Sequence, residues 1–170
     1  MSEFKDRTDA AKRLAAALVH RSTDCSVVYA IPHAGVVTGN IVADALHVPL
    51  RVATEAGYAA ETAHLREIYE AARPAVPAET AIIVDDGMIT GETMARAIAE
   101  VRKTNPQRII VAVPAATTRA VQRVQSLADE TSVLFEMPEG MNDLASCHSE
   151  LDPVSSQEAV AIFRAMCPVP

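Results

Sequence analysis

Ile82-Ile83-Val84-Asp85-Asp86-Gly87-Met88-Ile89-Thr90-Gly91-Glu92-Thr93-Met94 is the stretch that decides the fold. Three branched apolar residues lead directly into two adjacent carboxylates, which predicts a short buried strand ending at a polar edge. Ala95-Arg96-Ala97-Ile98-Ala99-Glu100-Val101-Arg102 follows with strong helix formers and apolar residues at helical spacing. A strand, an acidic edge, a Thr/Gly turn and a helix make a phosphate site. The turn and the first helical turn offer unpaired backbone N–H groups, and the helix dipole adds partial positive charge. Thr90 and Thr93 carry hydroxyls for phosphate oxygens, and Gly91 lets the backbone approach a ligand. Asp85 and Asp86 would repel a bare phosphate. They suit the hydroxyls of a sugar that carries the phosphate, each oxygen accepting a hydrogen bond, or a Mg²⁺ held by that ligand.

The same arrangement repeats upstream. Val27-Val28-Tyr29-Ala30-Ile31 reads as a buried strand, Pro32-His33-Ala34-Gly35 as a loop, and 36–46 as a helix. Residues 4–20 read as an amphipathic helix with Leu14, Leu18 and Val19 on its apolar side and Thr8 or Asp9 near its start. Residues 49–53 predict a strand, 54–60 a loop, 61–72 a helix and 74–80 a connector. Downstream, 108–113 is a continuous β-branched strand, and 114–118 is its carboxyl-end loop, with Thr117 or Thr118 capping a helix to about residue 128. A last strand covers 132–135 and a last helix 157–166, with Ser155 or Ser156 and Glu158 as its capping pair. Strands alternating with helices predict one α/β domain over 1–170, with a five-stranded, mostly parallel sheet and helices on both faces. Ligands of such sheets bind outside the carboxyl ends of the strands, where 32–35, 85–86 and 114–118 all fall.

Composition agrees. The 170 residues are 49% hydrophobic with three Phe, three Tyr and no Trp, so Ala, Val, Ile and Leu must fill the core. The formal net charge of −7 and the lack of a basic run argue against binding nucleic acid or an anionic membrane. No apolar run reaches membrane-spanning length, and the polar start has no signal-peptide character. Cys25, Cys147 and Cys167 are widely spaced, which predicts reduced thiols and a cytoplasmic setting rather than disulfides or a zinc site.

The run 82–94 resembles the phosphoribosyl pyrophosphate (PRPP) motif of the type I phosphoribosyltransferases, matching at Asp85, Asp86, Thr90, Gly91 and Thr93. It departs at Ile89, where a small residue is usual, and at Glu92, which adds a negative charge to the phosphate loop. Residues 65–74 are similar to the segment that precedes this motif in uncharacterised phosphoribosyltransferase-like proteins, with a shorter lid. The resemblance implies a pentosyltransferase that moves ribose 5-phosphate from PRPP to an acceptor nitrogen and releases pyrophosphate. Ile89, Thr90, Gly91, Glu92 and Thr93 would hold the 5-phosphate. Asp85 and Asp86 would be the catalytic pair, holding ribose hydroxyls and stabilising positive charge on the sugar. His33, Ala34 and Gly35 would hold pyrophosphate, with His33-Ala34 standing where the family often has a basic residue and Gly, and often a cis peptide. Mg²⁺ would ride on PRPP without dedicated protein ligands. A nucleoside monophosphate is the other expected ligand, a homodimer the expected assembly, and the acceptor base is not encoded in any motif. A binding module that has lost transfer fits the same residues, since the cation, lid and base-stacking aromatic of the family are altered here.

Overall fold

The computed structural model describes residues 2–53 and 78–166. The expected loop 54–60, helix 61–72 and most of the connector 74–80 lie outside the described residues.

The elements are α1 (Arg7–Leu18), β1 (Ser26–Ala30), α2 (Ala34–Leu46), β2 (Leu50–Val52) and β3 (Thr80–Val84). They continue with α3 (Glu92–Arg102), β4 (Arg108–Thr117), α4 (Thr118–Val124), β5 (Glu130–Met137) and α5 (Ser156–Met166). A 3₁₀ turn, Leu144–Cys147, lies between β5 and α5. Five strands form one sheet in the order β2-β1-β3-β4-β5, and every pair is parallel. The single-domain α/β fold read from the sequence is thus the observed one, with helices on both faces.

The period-two alternation of the strands divides the core into two layers. Ile82, Val84, Ile110 and Ala112 face α1, α2 and α5 together with Leu14, Leu18, Val36, Val42 and Ala159. Ala81, Ile83, Ile109, Val111 and Val113 face α3 and α4 together with Met94, Ile98, Val101, Ala120 and Val124. Every residue of β3 is buried, as a central strand covered on both faces requires.

Local chemistry corrects several boundaries. Asp6, not Thr8 or Asp9, caps α1: its carboxylate accepts from the Asp9 amide at 2.8 Å, so the helix starts at Arg7. Val19 lies past the end of α1 and is half exposed, outside the core it was expected to join. The 114–118 loop is largely strand. β4 runs on to Thr117 because Met88 takes up pairing where β3 ends, donating to the Ala115 carbonyl at 2.9 Å and accepting from the Thr117 amide at 3.0 Å. Pro114, which has no N–H, has no partner in the ladder with β5. β5 is likewise longer than 132–135, and α4 stops at Val124.

The strand order sets the location of the site. After β1 the chain builds β2 on one side, and β3 then pairs on the other side of β1, so the order reverses between β1 and β3. The crevice outside such a switch point is the ordinary ligand position of an open α/β sheet. The N-terminal half of α2 packs tightly there. A Cβ at Gly39 would sit 2.7 Å from the Ala30 Cβ and 3.1 Å from both Leu50 and Val84 side-chain carbons. Gly39→Ala therefore destabilises the fold by about 1–3 kcal/mol through overpacking, an effect read as a lowered midpoint in a denaturant titration.

Candidate functional site

Two loops meet at the β1/β3 switch point. The first follows β1. Ile31 continues the pairing by donating to the Val84 carbonyl at 2.9 Å. His33 then turns the chain into α2 with φ 66° and ψ −112°, a conformation suited to Gly and strained for a residue with a Cβ. Among the described residues no peptide is cis, so the backbone departure at this loop lies in the φ of His33. Gly35 then lies directly on the acidic pair. A Cβ there would come within 2.8 Å of Asp85 Oδ1 and 3.2 Å of the Asp85 Cα. Gly35 is thereby brought against Asp85, from which it is far in sequence, and His33 and Ala34 precede it in the same turn.

The second loop follows β3. Asp85, Gly87, Met88, Ile89, Thr90, Gly91, Thr93 and Met94 line a cavity of about 190 Å³. Gly91 has φ 71° and is the N-cap of α3, and a Cβ there would crowd the Ala120 carbonyl at 3.1 Å. The Thr90 hydroxyl accepts from the Glu92 amide at 3.3 Å. Thr117 fixes the loop from the next strand: its hydroxyl donates to the Ile89 carbonyl at 2.7 Å and accepts from the Ala120 amide at 3.1 Å. One hydroxyl thus caps α4, as expected of Thr117 or Thr118, and also holds the loop. Ile89 packs against the small cluster that holds Phe4, Ala10 and Met137 while still lining the cavity. Glu92 turns the other way. Its carboxylate lies 3.0 Å from Arg123 Nη1, largely exposed and outside the cavity lining. The contact is an ion pair by distance but lacks hydrogen-bond alignment, so it adds little stability.

The carboxylates themselves are unequal. Asp85 Oδ1 accepts from the Asp86 amide at 2.8 Å. Burial, and then the neighbouring Asp86 charge, push the Asp85 carboxyl well above the usual carboxylate range; the Asp86 amide and Arg7 oppose this. Asp86 has a partner that the sequence did not nominate. Arg7, the first residue of α1, approaches Asp86 Oδ2 with Nη2 at 3.3 Å and Nε at 3.4 Å, and donates from Nη1 to the Asp152 carbonyl at 2.8 Å. The other unforeseen neighbour is Leu144, whose methyl carbons would lie 2.3 and 2.9 Å from a Cβ on Gly87. Cys147 and His148 belong to the wall behind. Burial, with Asp143 and Glu3 adding, pushes the Cys147 thiol up, and His148 Nδ1 pairs with the Leu144 carbonyl at 2.9 Å. An inert thiol and a packed ring are what these features describe. Among the described residues no group of three His, Cys, Asp or Glu side chains could hold a metal ion, and no helix is long and apolar enough to cross a membrane.

A parallel sheet with an acidic pair at its switch point and a Thr/Gly loop opening the next helix has the architecture of the type I phosphoribosyltransferases. Residues 2–144 match the model of the phosphoribosyl transferase domain, and the chain belongs to that family. The protein TT1426 from Thermus thermophilus superposes with a TM-score of 0.80 at 24% identity, over 98% of this chain and 100% of that one. The adenine phosphoribosyltransferase of Trypanosoma brucei, solved with AMP, pyrophosphate and ribose 5-phosphate, gives 0.53 at 17% identity over 89% and 76% of the two chains. The adenine phosphoribosyltransferase of Giardia lamblia, solved with 9-deazaadenine, gives 0.55 at 13% identity over 78% and 80%. At these identities the likeness is one of fold.

Two outcomes follow from the strain and the charge. A carboxyl whose folded pKa lies above its unfolded value binds its proton more tightly in the folded state. Its contribution is therefore full below the unfolded value, near 3.8, and is lost as pH rises through the folded one. Asp85→Asn removes that loss, so it raises Tm at about pH 8 and the gain shrinks as pH is lowered to about 4. His33→Gly relieves a backbone conformation that costs about 1–3 kcal/mol, and thermal melts should show it more stable than the wild type.

Proposed function

We propose that this chain binds PRPP and transfers its phosphoribosyl group to an acceptor nitrogen, releasing pyrophosphate. The observation that carries the reading is the junction of Gly35 with Asp85 beside the 87–94 cavity. It sets an anion-binding turn, a carboxylate pair and a second loop side by side, in the order in which PRPP presents 5-phosphate, ribose hydroxyls and pyrophosphate. The 5-phosphate rests on the cavity formed by Ile89, Thr90, Gly91 and Thr93, at the N-terminus of α3, where unpaired amides and the helix dipole favour an anion. Glu92 contributes its backbone while its carboxylate pairs with Arg123. Asp85 and Asp86 accept from the ribose hydroxyls. As the bond from C1 to pyrophosphate lengthens, positive charge grows on the sugar, and the nearby carboxylates stabilise it. The loop amides of Ala34 and Gly35, with His33, receive the departing pyrophosphate.

Mg²⁺ fits this donor set as a passenger of the ligand. Mg²⁺ keeps most of its waters and takes one or two carboxylates plus substrate phosphates, and Asp85 and Asp86 offer that many oxygens without forming a cage. The ion would supply charge neutralisation on pyrophosphate. The solved adenine phosphoribosyltransferases of the same fold hold AMP, pyrophosphate, ribose 5-phosphate and a deazapurine, which supports purine bases as the first acceptors to try. The second reading, a PRPP or nucleoside monophosphate sensor without turnover, draws support from His33 in place of a guanidinium and from Asp86 already paired with Arg7.

Calorimetric titration separates the two. PRPP with Mg²⁺ is expected to bind, ribose 5-phosphate and AMP more weakly, and a mixture of PRPP and a purine base to release pyrophosphate. Binding without release across a panel of purine and pyrimidine bases supports the sensor. The double variant Asp85→Asn with Asp86→Asn should lose ribose 5-phosphate binding at unchanged circular dichroism, and unchanged affinity would sink the site assignment.

A further inference from the structure

We propose that Arg7 is a ligand-binding residue that supplies the pyrophosphate group with the guanidinium that the 32–35 loop lacks. The inference rests on the reading above and assigns a cation to it. The acidic pair poses an electrostatic problem for a polyanion: two adjacent carboxylates face a group carrying several negative charges. The loop beside them offers only a His side chain, whose charge depends on its protonation. Among the described residues, Arg7 is the only cation paired with either acid.

The geometry of that pair favours a role beyond structure. Both contacts run to one oxygen, Asp86 Oδ2, at 3.3 and 3.4 Å. Charge-assisted bonds normally close to about 2.7–2.9 Å, and an Arg fork normally engages both carboxylate oxygens. No described residue bonds to Asp86 Oδ1, which is left for a hydroxyl. The tight contact of Arg7 is elsewhere, from Nη1 to the Asp152 carbonyl at 2.8 Å. That bond anchors the guanidinium by one corner and leaves the Nη2–Nε edge, the edge that matches two phosphate oxygens, loosely held. The side chain is mostly buried, so a ligand meets a cation with little water to displace.

Placement selects the phosphate group. Arg7 begins α1, which packs along α2, and α2 begins at the loop that lies on Asp85. Arg7 and this loop therefore flank the acidic pair from the same face of the sheet. Arg7 is not among the residues that line the 5-phosphate cavity of the 87–94 turn. In the bound state the ribose hydroxyls take over Asp86, and Arg7 turns its free edge from Oδ2 to the pyrophosphate.

The test compares wild type, Arg7→Lys and Arg7→Gln by calorimetry with PRPP, pyrophosphate and ribose 5-phosphate, all with Mg²⁺. Loss of a charge-assisted hydrogen bond is worth roughly 10- to 100-fold in affinity. Arg7→Gln is expected to lose that much for PRPP and for pyrophosphate while ribose 5-phosphate stays within about twofold. Arg7→Lys should keep part of the affinity, as a point charge without the fork. Equal losses for PRPP and ribose 5-phosphate would overturn the proposal, because Arg7 would then act only through Asp86 or the fold. Unchanged or tighter PRPP binding by Arg7→Gln would overturn it as well. A wild type that binds none of the three would instead overturn the functional reading beneath it, and this inference with it.

Discussion

Two carboxylates held side by side at the end of a buried strand are the constraint to which the rest of this structure answers. Neither a parallel sheet nor a packed α/β core needs them, and Asp85 resists ionisation where it sits. What surrounds them compensates. The Asp86 amide turns back on Asp85, Gly35 yields its side-chain volume so that the next loop can close on the pair, and Arg7 crosses from α1 to face Asp86. Removing the acids would simplify the fold, which is the usual mark of residues retained for binding or chemistry.

The same trade recurs in the backbone. His33 occupies a conformation that Gly would take without strain, and Gly91 occupies a left-handed one at the mouth of α3. Both lie in turns that lead into a helix N-terminus at the crevice, and the second is braced from outside its own loop. Thr117 ties the 87–91 loop to β4, and Leu144 presses on Gly87. The site is carried by the strand ends, with the loops held to them at a few points.

Much of this was legible in the sequence because its determinants are local. Strand 82–84, the acids after it, the Thr/Gly turn and the helix that follows are contiguous, and their periodicities differ sharply. The parallel sheet followed from the repetition of that unit. Arg7 was not legible: it stands in an amphipathic helix among other charged residues, and only the packing of α1 along α2 and the Asp152 carbonyl give it a direction. The full length of β4 was hidden for a related reason. Pro114 reads as a strand end, yet the strand continues because Met88, beyond the acidic pair, supplies the missing neighbour. Glu92 reads in the sequence as a charge added to the phosphate loop, yet its carboxylate lies outside the cavity lining, beside Arg123 from far along the chain.

The early and late parts of the chain also run together. Phe4 donates to the Cys147 carbonyl, and its own carbonyl accepts from Ser149, while Glu150 donates to the Lys5 carbonyl; Arg7 closes the series on Asp152. These contacts span some of the largest sequence separations in the molecule, so closing them carries a large loop entropy. All five strands, β1 to β5, precede residues 144–152 in the chain. Those residues place Leu144 over Gly87 and give Arg7 its anchor on the Asp152 carbonyl. The strands and the closing of the site are thus encoded in separate stretches of the chain: residues 26–137 hold every described strand, and residues 144–152 supply the contacts that finish the crevice.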